Sequence, residues 1–281
     1  MPEWLTDPLG FDFFRRALGM ALLTGLLCPV VGSWLVVQRL GFLANVISHS
    51  VLPGVVIAGA LGWDLSIGAF LSGLASTLVL NGIEWLQVIR PEAAMNAVLA
   101  SFFALGVLLV PVLHSRLNLE AFLFGDLLSV TPGDLWRTGA IALLLLGLIT
   151  CFYRPLLYYS FDPAGAQALG LPVGRIRLAM TGAITLTIIA GMQSVGVILI
   201  IAMIACPALA AYLLVRELHE MLLVSALLGM LAAVGGLFLS YWANLPSGAT
   251  ISLVAFGVFL LALVFSPRKG VWRRSAARTA G

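Results

Sequence analysis

The sequence is dominated by long stretches that contain no charged residue. Residues 178–215 and 221–267 lack Asp, Glu, Lys and Arg over 38 and 47 positions. Four shorter stretches share this property: 17–38, 40–63, 65–83 and 93–115. Because a helix that crosses a bilayer needs about 20 apolar residues, each long stretch accommodates two crossings and each shorter one accommodates one.

The composition excludes a water-soluble fold. Hydrophobic residues make up 61% of the 281 positions and charged residues 10%, whereas a soluble domain carries about 25% charged residues. A membrane β-barrel is disfavoured because its strands alternate apolar and polar residues, while residues 141–149 are apolar throughout. We therefore predict an all-α, polytopic membrane protein with about eight or nine transmembrane helices, forming a single domain over 1–281.

The charged and turn-forming segments divide the chain into nine candidate spans. These are 17–37, 46–62, 65–88, 93–113, 135–157, 178–193, 195–215, 220–243 and 248–266. Eleven of the fifteen Lys and Arg residues then lie on one side of the membrane and four on the other. Since basic loops favour the cytoplasm, we predict that the loop 158–177 and the basic tail 267–281 are cytoplasmic. Residues 11–16 are predicted to form an interfacial helix whose arginines reach lipid headgroups.

One predicted span carries polar side chains at a depth where the bilayer makes them costly. Asn45 and His49 are four residues apart, so on a helix they share a face and could hold one ion. Pro53 and Gly54 follow one turn later and predict a helix break near a transport path, because freed backbone groups must line protein or water. The alternative is that Asn45 and His49 hydrogen-bond to a neighbouring helix, and this segment alone favours neither interpretation.

The predicted cytoplasmic loop has a second distinctive pattern. Asp162 is positioned to cap a short helix that begins at Pro163, and Gly170 is positioned to end it. A capped helix that presents small residues such as Ala166 is typical of a docking surface for another protein. The sequence contains no GxxxxGK[ST] phosphate loop, so the energy for uphill transport must come from a partner or a gradient.

Together these segments resemble the metal-ion permease family of ABC importers, which moves manganese, zinc or iron. The stretch from Ser48 to Gly54 is similar to the family's SHAVLPG pattern. The loop is similar to its coupling-loop pattern, in which FDP is followed by GLPV. The matching loop residues are Phe161, Asp162, Pro163, Ala166, Gly170, Leu171 and Pro172. Further patches match in the same order: Phe102–Val107, Glu120–Gly125, Gln193–Leu199 and Pro207–Ala208.

The resemblance implies a type II ABC importer-like permease in a bacterial inner membrane, surrounded by lipid, with a cytoplasmic C-terminus. Separate cytoplasmic ATPase subunits would dock on the loop, so the chain itself would be a transport subunit and not an enzyme. An extracytoplasmic metal-binding protein would deliver the ion, and a second copy or a paralogue would complete a dimer. We expect no nucleic-acid partner and no permanently bound cofactor, only a transported divalent metal.

The resemblance also implies that His49 contacts the transported ion. Family members commonly have Asp four residues before this histidine, where this chain has Asn45, and losing a carboxylate weakens a site for hard ions. Manganese is the expected cargo, because the SHxVLPG segment resembles the manganese branch more than the AHASLLG segment of some zinc permeases. Zinc and ferrous iron stay open, since imidazole binds zinc as well as manganese.

Two other classes of transporter compete with this interpretation. A cobalamin or siderophore permease uses a similar docking loop, but it has more spans and is not expected to place a histidine at the LPG break. An ion-gradient-driven carrier would need inverted repeats and carboxylates inside the membrane. No convincing repeat is apparent, and the acidic residues inside the predicted spans lie near span ends.

Overall fold

The computed structural model describes residues 8, 10–86, 88–114, 125 and 127–266, without the side chains of Gln193 and Ser194. Within these ranges the regular structure is helical, and nine helical segments are long and apolar enough to cross a membrane. The all-α membrane fold and the nine spans are thus confirmed. Most of the patch 120–125 and the whole tail 267–281 lie outside the described residues.

The helices are α1 (Asp12–Val37), α2 (Gly41–Ser50), α3 (Leu52–Leu61), α4 (Leu65–Trp85), α5 (Pro91–Val112), α6 (Pro132–Cys151), α7 (Tyr153–Phe161), α8 (Pro163–Ala168), α9 (Val173–Val195), α10 (Val197–Leu214), α11 (Leu218–Ala243) and α12 (Ser247–Phe265). One turn of 3₁₀ helix, Leu127–Ser129, precedes α6. The candidate spans are α1, α2 with α3, α4, α5, α6, α9, α10, α11 and α12.

Several predicted boundaries differ from the structure, since α2 begins at Gly41 and α9 at Val173, where 46 and 178 were predicted. α1 begins at Asp12, so residues 12–16 continue into the first span without a break and are not a separate helix. The predicted span 135–157 stops at Cys151, and α7 follows it. Pro155 explains this stop, because it lacks the N–H group that would bond to the Cys151 carbonyl and extend α6. The predicted loop 158–177 is consequently helical over much of its length.

The long uncharged run 178–215 folds as two helices that meet at Gly196. The backbone of Gly196 has φ 87° and ψ 154°, a conformation that glycine adopts without steric cost. Gly125, with φ 62°, lies directly against this break, since a Cβ at Gly125 would overlap the backbone of Val195 and Gly196. The run therefore supplies two separate crossings, α9 and α10.

Small residues allow the helices of the bundle to approach closely. α1 crosses α11 where Gly25 faces Gly229, and α3 crosses α4 where Gly54 faces Gly68. A Cβ on any of these glycines would collide with the backbone of the opposite helix. Because lipid tails are as apolar as leucine, such close packing is a main source of helix association in a bilayer.

An ion pair joins two helices at the end of the bundle opposite α8. The Asp64 carboxylate caps α4 by accepting a 2.9 Å hydrogen bond from the Ser66 N–H, and it pairs with Arg137 of α6 at 3.1 Å. The Ser66 hydrogen bonds, and to a smaller extent the Arg137 charge, lower the pKa of Asp64 below its ordinary value. The N-termini of α4 and α6 therefore lie at the same end of the molecule.

Candidate functional site

Asn45 and His49 lie one turn apart on the same side of α2, and both are half-buried. Their neighbours Ala44 and Ser48 are fully buried, so Asn45 and His49 lie on the less buried side of α2. At a rise of 1.5 Å per residue, His49 lies about 12 Å along the span Gly41–Leu61, close to its midpoint. Two polar side chains thus reach the surface of this chain at bilayer depth.

The His49 side chain contacts an aromatic ring that is itself partly exposed. The His49 ring meets the Phe103 ring of α5 edge to face, with centroids 5.5 Å apart, and Phe103 is 40% exposed. Neither the Asn45 side chain nor the His49 side chain has a hydrogen-bond partner among the residues that the structure describes. The alternative that they bond to a neighbouring helix of the same chain thus has no counterpart in this part of the structure.

The helix that carries His49 is interrupted at Val51, between α2 and α3. Pro53 lies in the first turn of α3, where it cannot donate the hydrogen bond that would reach the His49 carbonyl. Gly54 also allows α3 to approach Gly68 of α4 closely. The interruption therefore depends on Pro53 and lies within one turn of His49.

The part of the chain that the structure describes does not offer a complete metal site. No group of three or more His, Cys, Asp or Glu residues is placed to hold a metal ion in the described ranges. Divalent metals take at least four ligands in proteins, and Asn45 with His49 supplies two. An ion held at Asn45 and His49 would therefore need further ligands from outside this pair.

The short helix α8 is held at both ends by the residues that the sequence analysis assigned to them. The Asp162 side chain accepts a 2.9 Å hydrogen bond from the Gly165 N–H, and Pro163 occupies the first position. At the other end Gly170 has φ 78°. Its N–H bonds to the Gln167 carbonyl at 3.0 Å, as in a Schellman motif.

Two large apolar side chains, Phe161 and Leu169, flank α8 and are 65% and 70% exposed. Ala166 is instead 1% exposed, because α8 packs against α7 and α9. The prediction that Ala166 faces a partner is therefore wrong. Leu169 was missed by the sequence analysis, although a large apolar residue directly before the glycine that ends an exposed helix could have indicated it.

A cavity of about 490 Å³ with a mixed polar and apolar lining lies at the same end of the bundle, between α1, α2, α4, α5, α7 and α9. Glu84 at the end of α4 forms an ion pair with Arg177 in α9. The amide of Gln38, just after α1, donates a 3.1 Å hydrogen bond to the Ser160 hydroxyl of α7. Polar contacts thus tie the helices on both sides of α8 to the bundle.

Comparison with known proteins places this geometry among transport proteins. The ABC 3 transport family model matches residues 10–266. The manganese transport system membrane protein MntC of Halalkalibacterium halodurans is 37% identical, over 96% of this chain and 94% of that protein. The manganese import system permease protein ScaB of Streptococcus gordonii is 36% identical, over 97% and 98%. PsaBC from Streptococcus pneumoniae, solved in complex with Fab, superimposes with a TM-score of 0.87 at 34% identity, covering 97% of this chain and 99% of that one.

Proposed function

Since the chain belongs to the ABC 3 transport family, we propose that it is the membrane-spanning permease of an importer that carries manganese into the cytoplasm. Two relatives that match along nearly their whole length are named as manganese transport proteins. Zinc and ferrous iron are the competing cargoes. The observation that carries the proposal is the pair Asn45 and His49 near the middle of a span, because both side chains are polar, half-buried and without a hydrogen-bond partner in the described ranges.

The face formed by Asn45, His49 and Phe103 is the proposed ion path. Polar groups that face lipid are costly, so this face needs a protein cover. A second permease chain, either another copy or a paralogue, provides that cover and adds its own ligands. An imidazole and an amide from each chain, completed by water, bind an ion weakly enough to release it again, as transport requires.

The end that carries α8 is the proposed cytoplasmic side. Arg39, Arg90, Arg154, Arg175 and Arg216 lie at this end, and basic residues favour the cytoplasm. Separate ATPase subunits dock on α8 through Phe161 and Leu169, since large apolar side chains outside the bilayer call for a protein cover. An extracytoplasmic metal-binding protein delivers the ion at the opposite end.

Radiolabelled manganese uptake tests this function in cells that express the chain with its ATPase and metal-binding protein. We expect His49→Ala to lower uptake roughly tenfold or more, as loss of a metal ligand does, with membrane insertion unchanged. His114→Ala is the matched control, because His114 is exposed at the end of α5 and lies outside the proposed path.

Three outcomes would change the proposal. Wild-type uptake by His49→Ala would remove His49 from the path. Uptake that unlabelled zinc or iron blocks better than unlabelled manganese would keep the transporter and replace its cargo. Absence of metal uptake with all partners present would favour a permease for a larger ligand.

A further inference from the structure

An apolar groove of about 640 Å³ runs between α1, α6, α7 and the first half of α9. Its lining includes Leu144, Leu148, Phe152, Ile176 and Ala183. Residues of α2 and α5 do not contribute to this lining, so the groove is separate from the proposed ion path. Its volume lies within the range of about 300–1,000 Å³ that is typical of small-molecule sites.

The groove reaches the membrane surface beside the docking helix. Leu171 and Pro172, which connect α8 to α9, contribute to its lining, and so does Arg175 in the first turn of α9. Arg175 is exposed and has no ion-pair partner in the described part of the chain, whereas Arg177 pairs with Glu84. An unpaired cation at the mouth of an apolar groove matches a ligand with an anionic head and an apolar tail.

Trp34 gives an independent indication of a ligand. It borders the groove near the end of α1, it is 3% exposed, and its ring packs edge to face on Tyr153 with centroids 6.0 Å apart. Its indole N–H has no acceptor among the residues that the structure describes. Tryptophan at a membrane interface normally places this donor at the level of the lipid headgroups.

We propose that the groove binds one anionic phospholipid of the leaflet on the α8 side. An acyl chain lies along the apolar wall between α1, α6 and α9, and the phosphate lies at Arg175. The ester oxygens of the lipid then lie at the level of the Trp34 indole. Basic pockets between transmembrane helices bind anionic headgroups in this way.

A lipid in this position contacts Leu171 and Pro172 and therefore braces α8 against the bundle. This lipid site goes beyond the proposed transport function. Only one part of it, the assignment of the leaflet to the cytoplasmic side, rests on the proposed function. The binding itself depends on the groove and on Arg175, which are features of the single chain.

Lipid retention by the full-length chain tests the proposal. The chain is reconstituted in phosphatidylcholine bilayers that contain phosphatidylglycerol and is extracted in mild detergent, and the retained lipids are counted by native mass spectrometry. We expect the wild-type chain to retain phosphatidylglycerol in preference to phosphatidylcholine.

Arg175→Gln should lower this preference about fivefold, the effect of one cation near an anionic headgroup. Arg90→Gln removes an arginine of the same end outside the groove and should leave the preference unchanged.

A second variant blocks the groove. Gly182 lines it, and a Cβ there meets nothing within 4 Å, so Gly182→Phe should fill the groove and abolish lipid retention. Gly147→Phe is the matched control, because Gly147 has the same free space on the neighbouring helix α6 but does not line the groove.

The results that would overturn the proposal are specific. Equal phosphatidylglycerol retention by Gly182→Phe and Gly147→Phe would exclude the groove as the site. Equal retention of both lipids by the wild-type chain, or an unchanged preference in Arg175→Gln, would exclude the anionic headgroup. Arg175→Gln alters an exposed side chain and so remains informative if Gly182→Phe does not fold. Neither measurement requires metal or ATPase, so failure here and failure of the transport proposal are separate results.

Discussion

Asn45 offers a neutral amide oxygen one turn from His49, on the same half-buried side of α2. A carboxylate there would add a charge that hard ions such as manganese prefer. With an amide, ion binding is weaker and depends more on the imidazole of His49, which binds zinc as well as manganese. We therefore propose that this residue tunes both how tightly the path holds its ion and which ion it favours.

We expect Asn45→Asp to shift the competition profile of uptake toward manganese, because it adds an anionic oxygen ligand. The zinc concentration that halves labelled manganese uptake should rise about tenfold, equivalent to ~1.4 kcal/mol. Asn45→Gln keeps a neutral amide and is the control. If Asn45→Asp and the wild-type chain show the same profile, residue 45 does not contact the ion.

At the scale of the element, α8 is a six-residue helix that would not be stable in isolation. Its stability comes from the Asp162 cap, the turn at Gly170 and the burial of Ala166. These contacts hold Phe161 and Leu169 in fixed positions at its two ends. A rigid segment of this kind loses little conformational entropy on binding, which favours affinity.

We expect Leu169→Ala to weaken the binding of the ATPase subunits roughly tenfold, since a large apolar anchor at an interface is worth more than about 1 kcal/mol. The measurement is the dissociation constant of the purified permease with its ATPase, together with ATP-dependent uptake. Gln167→Ala alters an exposed side chain on α8 itself and should leave both the dissociation constant and the uptake unchanged. An ATPase affinity that does not respond to Leu169→Ala would exclude Leu169 from the interface.

At the scale of the whole molecule, close crossings between glycines hold the bundle together. Gly54 and Gly68 bring α3 against α4, and Gly25 and Gly229 bring α1 against α11. Each pair joins two helices whose backbones nearly touch. The position of the His49 segment consequently depends on close packing between glycines.

We expect Gly54→Leu to prevent correct assembly or to cost about 1–3 kcal/mol or more of stability, because the new side chain would overlap the backbone at Gly68. Gly82→Leu in α4 is the control, since a Cβ at Gly82 meets nothing within 4 Å. The measurement is the folded fraction of each variant by size-exclusion chromatography and its thermal unfolding in detergent. Equal stability of the two variants would argue against this packing.

Local patterns account for the parts of the fold and candidate site that could be predicted. A long stretch without charged residues indicates a membrane span, and the cap residues Asp162 and Gly170 indicate a short helix. Both signals can be read from the sequence because they depend on residues that are neighbours along the chain. Ala166 was misjudged because its burial depends on α7 and α9. The groove at Trp34 and Arg175 could not be predicted, since its walls come from segments more than 100 residues apart.

The sequence by itself determined that the chain crosses a membrane as about eight or nine helices, because every backbone polar group in a bilayer must be satisfied inside its own segment. Only the tertiary structure decided which side of each helix packs against other helices. In that structure Asn45 and His49 lie on the less buried side of α2, Arg177 pairs with Glu84, and Arg175 lies at the mouth of a groove. The physical reason is that helices apolar on all sides carry no preferred face, so contacts between distant small residues set their rotation.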